Sequence, residues 1–279
     1  PEELGIWLDH VQAGNLYVNR GTTGAIVQRQ PFGGWKRSSV GAGAKAGGPN
    51  HLVGLGGWRA STGTASGTLH LRGLDSRITA LIEASQPSLD YPRFDWLRRA
   101  ALSDAIEWDR EFGQVRDVSH LGIERNLLRY RPVEVGLRAT AGAELQQVLR
   151  VSIAAIRAAG ATVLSVAAGL PPAVRRGLVE AGITVFVESD DEWTARIVGG
   201  PEAAASRPPR VRLIGPRAET AVLHTALARA VGGDPDLAIY AADVTTAGRL
   251  ELLPFLHEQA IAITAHRFGN PDDWSQTVI

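Results

Sequence analysis

Between Ala143 and Ala242 amphipathic helical segments and mainly apolar strand segments alternate at short connections, and this alternation restricts the possible folds more than any other feature of the chain. Ala143 to Ala159 carries Leu145, Val148, Leu149, Ile153 and Ile156 at helical spacing, which predicts a helix with one buried face. Gly160 ends it, and Thr162 to Ala167 reads as a strand. Pro171 and Pro172 then open a helix over Ala173 to Ala181, and Gly182 stops it before a strand over Ile183 to Glu188. The pattern repeats as helix Asp191 to Val198, strand Arg210 to Ile214, helix Glu219 to Val231 and strand Leu237 to Ala242. Mainly apolar strands need cover on both faces, and a helix in each connection makes neighbouring strands parallel. The expected fold class is α/β, with a Rossmann-like parallel-sheet domain over residues 143–279.

Two further zones precede it. Residues 1–56 hold a helix end (Leu4 to Gln12), a β-like stretch (Leu16 to Asn19) and loops dense in Gly, Thr and Ser, of the kind that turns sharply or holds a ligand. Residues 57–142 begin with a Gly/Ser/Thr tract (Ser61 to Gly67) and a helical stretch from Arg72 to Ser85. Pro87 and Pro92 interrupt the chain before an amphipathic segment from Phe94 to Phe112, and a strand pair is expected from Asn126 to Arg138. This zone reads as a linker with a small helical and strand element. The most apolar window, Val151 to Leu170, contains Arg157 and is split by Gly160, so it reads as a buried helix, turn and strand and not as a membrane span. The first thirty residues lack the charged start and apolar run of a signal peptide, which makes the cytoplasm the expected location.

Several chemistries have no footing here. The chain has no cysteine, which excludes a thiol nucleophile, thiolate metal sites and disulfides within these residues. Its 29 basic and 29 acidic side chains balance, so no overall field draws nucleic acid or anionic lipid. The seven histidines show no paired spacing for a metal, and no G-x-S-x-G elbow is present. A dinucleotide site would need G-x-G-x-x-G between a strand and a helix, and the nearest candidate is Gly215-Pro216 after the strand ending at Ile214. Pro216 removes one amide donor and no second glycine follows, so this reads as a structural turn. Gly41 to Gly48, with Lys45 inside it, has the composition of a phosphate loop but no Ser or Thr after the lysine and no preceding strand.

One segment is different in kind. Gly14-Asn-Leu-Tyr-Val-Asn-Arg20-Gly-Thr-Thr-Gly24-Ala25-Ile-Val-Gln-Arg-Gln-Pro31-Phe32-Gly-Gly34 resembles the C-terminal end of an aldehyde dehydrogenase catalytic domain. Its continuation from Trp35 through Lys45-Ala-Gly-Gly-Pro-Asn50-His51 resembles the branch that oxidises L-glutamate γ-semialdehyde, the open form of 1-pyrroline-5-carboxylate. Near the other end, Gly248 to Asn270 is similar to the closing motif of bifunctional proline utilization A proteins, which join proline dehydrogenase to that aldehyde dehydrogenase.

The resemblance implies the end of an aldehyde dehydrogenase catalytic domain (1–56) followed by a Rossmann-like domain that binds no cofactor and carries the closing motif at 248–270. It implies that backbone N–H groups of Thr23, Gly24 and Ala25 anchor the substrate carboxylate and that Phe32 packs on its aliphatic part. Glycine lets the main chain approach an anion, and an apolar wall suits a short aliphatic chain. On the residues alone, Thr22 to Ala25 could equally be a tight turn and Phe32 a core ring. The resemblance further implies NAD in the aldehyde dehydrogenase part and FAD in the proline dehydrogenase part, both held by upstream domains of the same polypeptide, with the family's nucleophile there too. On this reading the chain is a fragment or processed product, since it opens Pro-Glu-Glu inside an apparent helix, and it is catalytically inert alone. The expected partners are those upstream domains, the semialdehyde substrate and further copies in a homo-oligomer, with no nucleic acid. The tail from Gly248 to Asn270 is expected to help seal a channel between two active sites. The alternative is a noncatalytic Rossmann-like module for oligomerisation or lid formation.

Overall fold

A computed structural model describes residues 2–22, 24, 26–58, 73–160, 162–199, 207–267, 270–271 and 273–279. In chain order its elements are α1 (Glu2–His10), β1 (Asn15–Val18), α2 (Ser76–Ser85), α3 (Tyr91–Glu107), β2 (Arg116–Asp117), β3 (Glu124–Pro132) and β4 (Val135–Ala139). Then follow α4 (Leu145–Ala158), β5 (Thr162–Val166), α5 (Pro172–Glu180), β6 (Thr184–Val187) and α6 (Asp190–Val198). The chain continues through β7 (Arg210–Ile214), α7 (Arg217–Ala230), β8 (Ala238–Tyr240), α8 (Gly248–Glu251) and β9 (Leu256–Thr264).

These elements form two compact units that do not follow chain order. One comprises Pro1–Gly56, Asp109–Arg131 and His257–Ile279; the other comprises Gly57–Trp108 and Pro132–Leu256. The second unit contains an all-parallel five-stranded sheet in the order β6-β5-β4-β7-β8. Numbered within the unit this is 3-2-1-4-5, the order of a Rossmann-type sheet, and it arises because the chain returns past β4 after β6. Right-handed crossovers put α4 and α5 on one face and α6 and α7 on the other. On the latter face Trp193 and Ile197 of α6 pack with Val211 and Leu213 of β7 and Leu223 and Leu227 of α7.

The local signals explain where the helices begin. The Asp75 side chain caps α2 through the Arg77 amide, and Asp90 caps α3 through the Arg93 amide. Ser189 and Glu192 form a reciprocal capping box at the start of α6. At the far end of α4, Ala159 adopts a left-handed conformation before the chain turns at Gly160.

α4 is buried on every side over Val148 to Ile156, because α3 packs on the face turned away from the sheet. The helical part of 57–142 therefore joins the second unit as an outer layer. A buried ion pair fixes it there: Arg150 of α4 donates to both oxygens of Asp104 of α3 at 2.7 and 2.8 Å, and both side chains are essentially without solvent contact.

The expected strand pair from Asn126 to Arg138 does not form. β3 enters the sheet of the first unit and β4 becomes the central strand of the parallel sheet. Only Val133 and Glu134 separate them, neither suited to the positive φ of a two-residue hairpin, and Pro132 cannot donate to a ladder. β4 is buried along its whole length, the signature of a central parallel strand. The first unit holds a mixed sheet in the order β1-β9-β3-β2, in which β9 runs parallel to β1. Residues 257–279, expected at the end of the C-terminal domain, thus pair with the first strand of the chain, and Ile261 and Ile263 share a core with Leu8 and Leu16. The Gly/Ser/Thr tract Ser61 to Gly67 lies outside the described residues.

Candidate functional site

A Rossmann-type sheet binds ligands beyond the C-terminal ends of its strands, where the strand order reverses. In this sheet that crevice lies between β4 and β7, at Thr140 to Gly142 and at Gly215 to Pro216. Gly215 has φ +145°, and a Cβ there would overlap the Thr140 hydroxyl, so the two loops already touch. The Gly142 amide, one of the donors a phosphate would need, donates instead to a carboxylate oxygen of Glu219 at 2.9 Å. At the start of α4 the Glu144 amide donates to Gln147 Oε1 at 3.3 Å. With the Gly142 amide taken by Glu219 and another donor removed by Pro216, these loops lack amides that a pyrophosphate would need. A cavity of about 100 Å³ lies at the opposite end of β4, lined by Val135, Leu137, Val163 and Trp193.

The second place is the loop after β1. Thr23 and Ala25 of the expected carboxylate anchor lie outside the described residues. Gly24 has φ +100°, a conformation open to glycine, and a Cβ there would meet nothing within 4 Å. Phe32 is 60% exposed, so within this chain the ring is not part of a core. Its backbone is nevertheless fixed: the Phe32 amide donates to Ala46 O at 2.9 Å and its carbonyl accepts from the Ala46 amide at 2.7 Å.

The surroundings of Phe32 are tied from two more directions. Asn15 of β1 donates through Nδ2 to Pro31 O at 2.9 Å and accepts from the Gly33 amide at 3.2 Å. Lys45 is 4% exposed and donates from Nζ to Asn15 Oδ1 at 2.7 Å and to the Gly33 carbonyl. Its own amide donates to Glu258 Oε2 at 2.7 Å. The other oxygen of Glu258 accepts from Asn50 Nδ2 at 2.9 Å, and Asn50 in turn donates to the Tyr130 hydroxyl, which donates to Glu111. Burial lowers the Lys45 ammonium to about 8, against the opposing pull of Glu258. Tyr130 is pushed well above the ordinary phenol range, chiefly by burial and then by the Glu111 charge, so it stays a neutral donor.

At the base of the loop Arg20 and Arg29 both pair with Glu124 of β3. The two arginines and Asn126 hold the Glu124 carboxyl below its usual range although burial opposes them. Sequence reasoning weighed Lys45 only as part of a phosphate-loop-like run and passed over Asn50, Glu124 and Glu258. The signal of the last three was weak because they have partners roughly a hundred to two hundred residues away. Among the described residues no group of three or more His, Asp or Glu side chains could hold a metal ion.

The chain thus joins a mixed sheet, with its glycine-containing loop and Phe32, to a separate all-parallel sheet of Rossmann type. The aldehyde dehydrogenase family model matches residues 2–53. The chain is 62% identical over 40 residues to 1-pyrroline-5-carboxylate dehydrogenase of Bacillus subtilis (strain 168), covering 14% of this chain and 7% of that protein. It is 56% identical over 45 residues to the enzyme of the same name from Geobacillus sp. (strain WCH70), covering 16% and 8%. The structure of proline utilization A from Corynebacterium freiburgense superposes with TM-score 0.64 at 33% identity, over 96% of this chain and 22% of that one. The chain is therefore homologous to the aldehyde dehydrogenase superfamily and to bifunctional proline utilization A proteins, and it spans under a tenth of these curated relatives and about a fifth of that structure.

Proposed function

We propose that this chain works as a noncatalytic part of an aldehyde-dehydrogenase-type protein, its Rossmann-like unit serving as a lid or oligomerisation module and not as a cofactor site. The observation that carries this is the Glu219 carboxylate on the Gly142 amide, in the place where a phosphate would sit. The absence of cysteine supports it, because these residues supply no thiol to attack an aldehyde. Titration calorimetry of the chain with NAD tests it: no binding heat is expected at millimolar cofactor, and saturable binding would end the reading.

A second reading, compatible with the first, is favoured by the exposure of Phe32. The loop around Thr23, Gly24 and Ala25 would anchor the carboxylate of L-glutamate γ-semialdehyde, and Phe32 would wall its aliphatic part, within a longer cytoplasmic protein that oxidises proline to glutamate. NAD and FAD would bind the upstream domains of that protein, and the segment Gly248 to Asn270 would help close a channel between its active sites. The match to 1-pyrroline-5-carboxylate dehydrogenases supports the substrate class. Replacing Gly57–Trp108 and Pro132–Leu256 of the longer polypeptide by flexible linkers removes the second unit, keeps the three segments of the first and so separates the roles. A lid predicts that added aldehyde is still oxidised while coupled turnover from proline develops a lag; coupled turnover without a lag would leave the module a passenger.

A further inference from the structure

The buried lysine of the first unit has no role in the reading so far. A lysine with 4% exposure ordinarily sits against a carboxylate, yet the Lys45 ammonium donates to an amide oxygen and a carbonyl, Asn15 Oδ1 and Gly33 O. Glu258 reaches only its backbone amide. Both acceptors belong to the segment that carries Phe32. Asn15 touches the chain on either side of the ring, at Pro31 O and the Gly33 amide, so one asparagine and one lysine hold the two peptide units that flank it. With the paired bonds between Phe32 and Ala46, the ring stands exposed on a backbone fixed at five points.

We infer that Lys45 is a positioning residue: with Asn15 it clamps the backbone around Phe32 and presents the ring as a preformed apolar wall for a ligand. The functional half of this rests on the reading that Phe32 contacts the aldehyde substrate; the clamp itself does not. A preformed wall matters because ordering a loop on binding would subtract from affinity. The clamp acts through Asn15, whose Oδ1 accepts from both Lys45 and Gly33: losing Asn15 removes the partner of the Gly33 amide, and losing Lys45 removes the donor that fixes both that partner and the Gly33 carbonyl.

Hydrogen exchange of the 279-residue chain tests the clamp, with Lys45→Met to remove the ammonium and Asn15→Ala to remove its partner. Protection of the Gly33 amide is expected to fall about tenfold or more in each variant and no further in the double variant, while the amides of β9 keep theirs. The longer enzyme carrying this sequence gives the second readout: Lys45→Met should raise KM for glutamate semialdehyde about tenfold with kcat within about twofold. Unchanged Gly33 protection would overturn the proposal, as would loss of protection spread through β9. If the clamp opens and KM holds while Phe32→Ala raises it, the positioning role is likewise overturned. If the clamp opens and neither Lys45→Met nor Phe32→Ala moves KM, the clamp stands and the aldehyde reading falls.

Discussion

A carboxylate oxygen of Glu219, in the first turn of α7, lies 2.9 Å from the amide of Gly142 in the loop after β4. The bond ties together the two loops that a Rossmann-type sheet leaves apart for its ligand, and it gives α7 a favourable acidic group near its N-terminus. What is a binding crevice elsewhere is here a joint between β4 and β7.

The joint should be sensitive to a single methyl group. Gly215→Ala places a Cβ in the Thr140 hydroxyl and forces an L-residue to φ +145°, which is expected to destabilise the unit by about 1–3 kcal/mol. Urea unfolding followed by circular dichroism checks it; a midpoint unchanged at constant slope would show that the loops separate freely.

The Asp104 and Arg150 pair should be the most costly polar contact to break in the second unit. Asp104→Ala leaves the Arg150 guanidinium buried without its carboxylate, and a loss of about 3–5 kcal/mol is expected by denaturant titration.

The same pair gives a pH signature. Burial outweighs Arg150 and lifts the Asp104 carboxyl from 3.8 to about 6. Between these values the folded state holds a proton that the unfolded chain has released, so this group's contribution to stability is full below about 3.8 and lost as pH rises through about 6. Asp104→Asn should remove that falling limb from the stability profile; an identical profile in the variant would assign the limb to other groups.

Lys45 should act in the opposite sense and at higher pH. Its ammonium is lowered from 10.5 to about 8, so between these values the unfolded chain binds a proton that the folded state lacks. Stability from this group therefore rises with pH across that window, and Lys45→Met should abolish the rise. The readout is the unfolding free energy from pH 7.5 to 10.5 in both proteins.

Phe32→Ala separates function from folding. The ring is 60% exposed, so its removal is expected to change stability by less than about 0.5 kcal/mol. On the proposed reading the same change in a longer enzyme carrying this sequence should weaken aldehyde binding, and a loss of stability of several kcal/mol would instead make Phe32 a packing residue.

The sequence by itself determined four of the five parallel strands and the helices between them, and assigned the central strand, β4, to a strand pair. Runs rich in apolar residues such as Leu237 to Ala242, and the stops at Gly160, Pro171 and Gly182, carry their signal within a few residues, because strand burial and helix termination are local. It also determined that Gly215-Pro216 makes a poor phosphate turn, since a missing amide is visible in the residue itself. Tertiary structure alone decided the partners. That β9 pairs with β1, that β3 and β4 part into different sheets and that α3 covers α4 depend on which surfaces meet over long chain separations. The Glu219 carboxylate on Gly142 and the Lys45 ammonium on Asn15 and Gly33 belong to the same class. A hydrogen bond is fixed by distance and direction in space, and residue type fixes only that each of these side chains must find a partner somewhere.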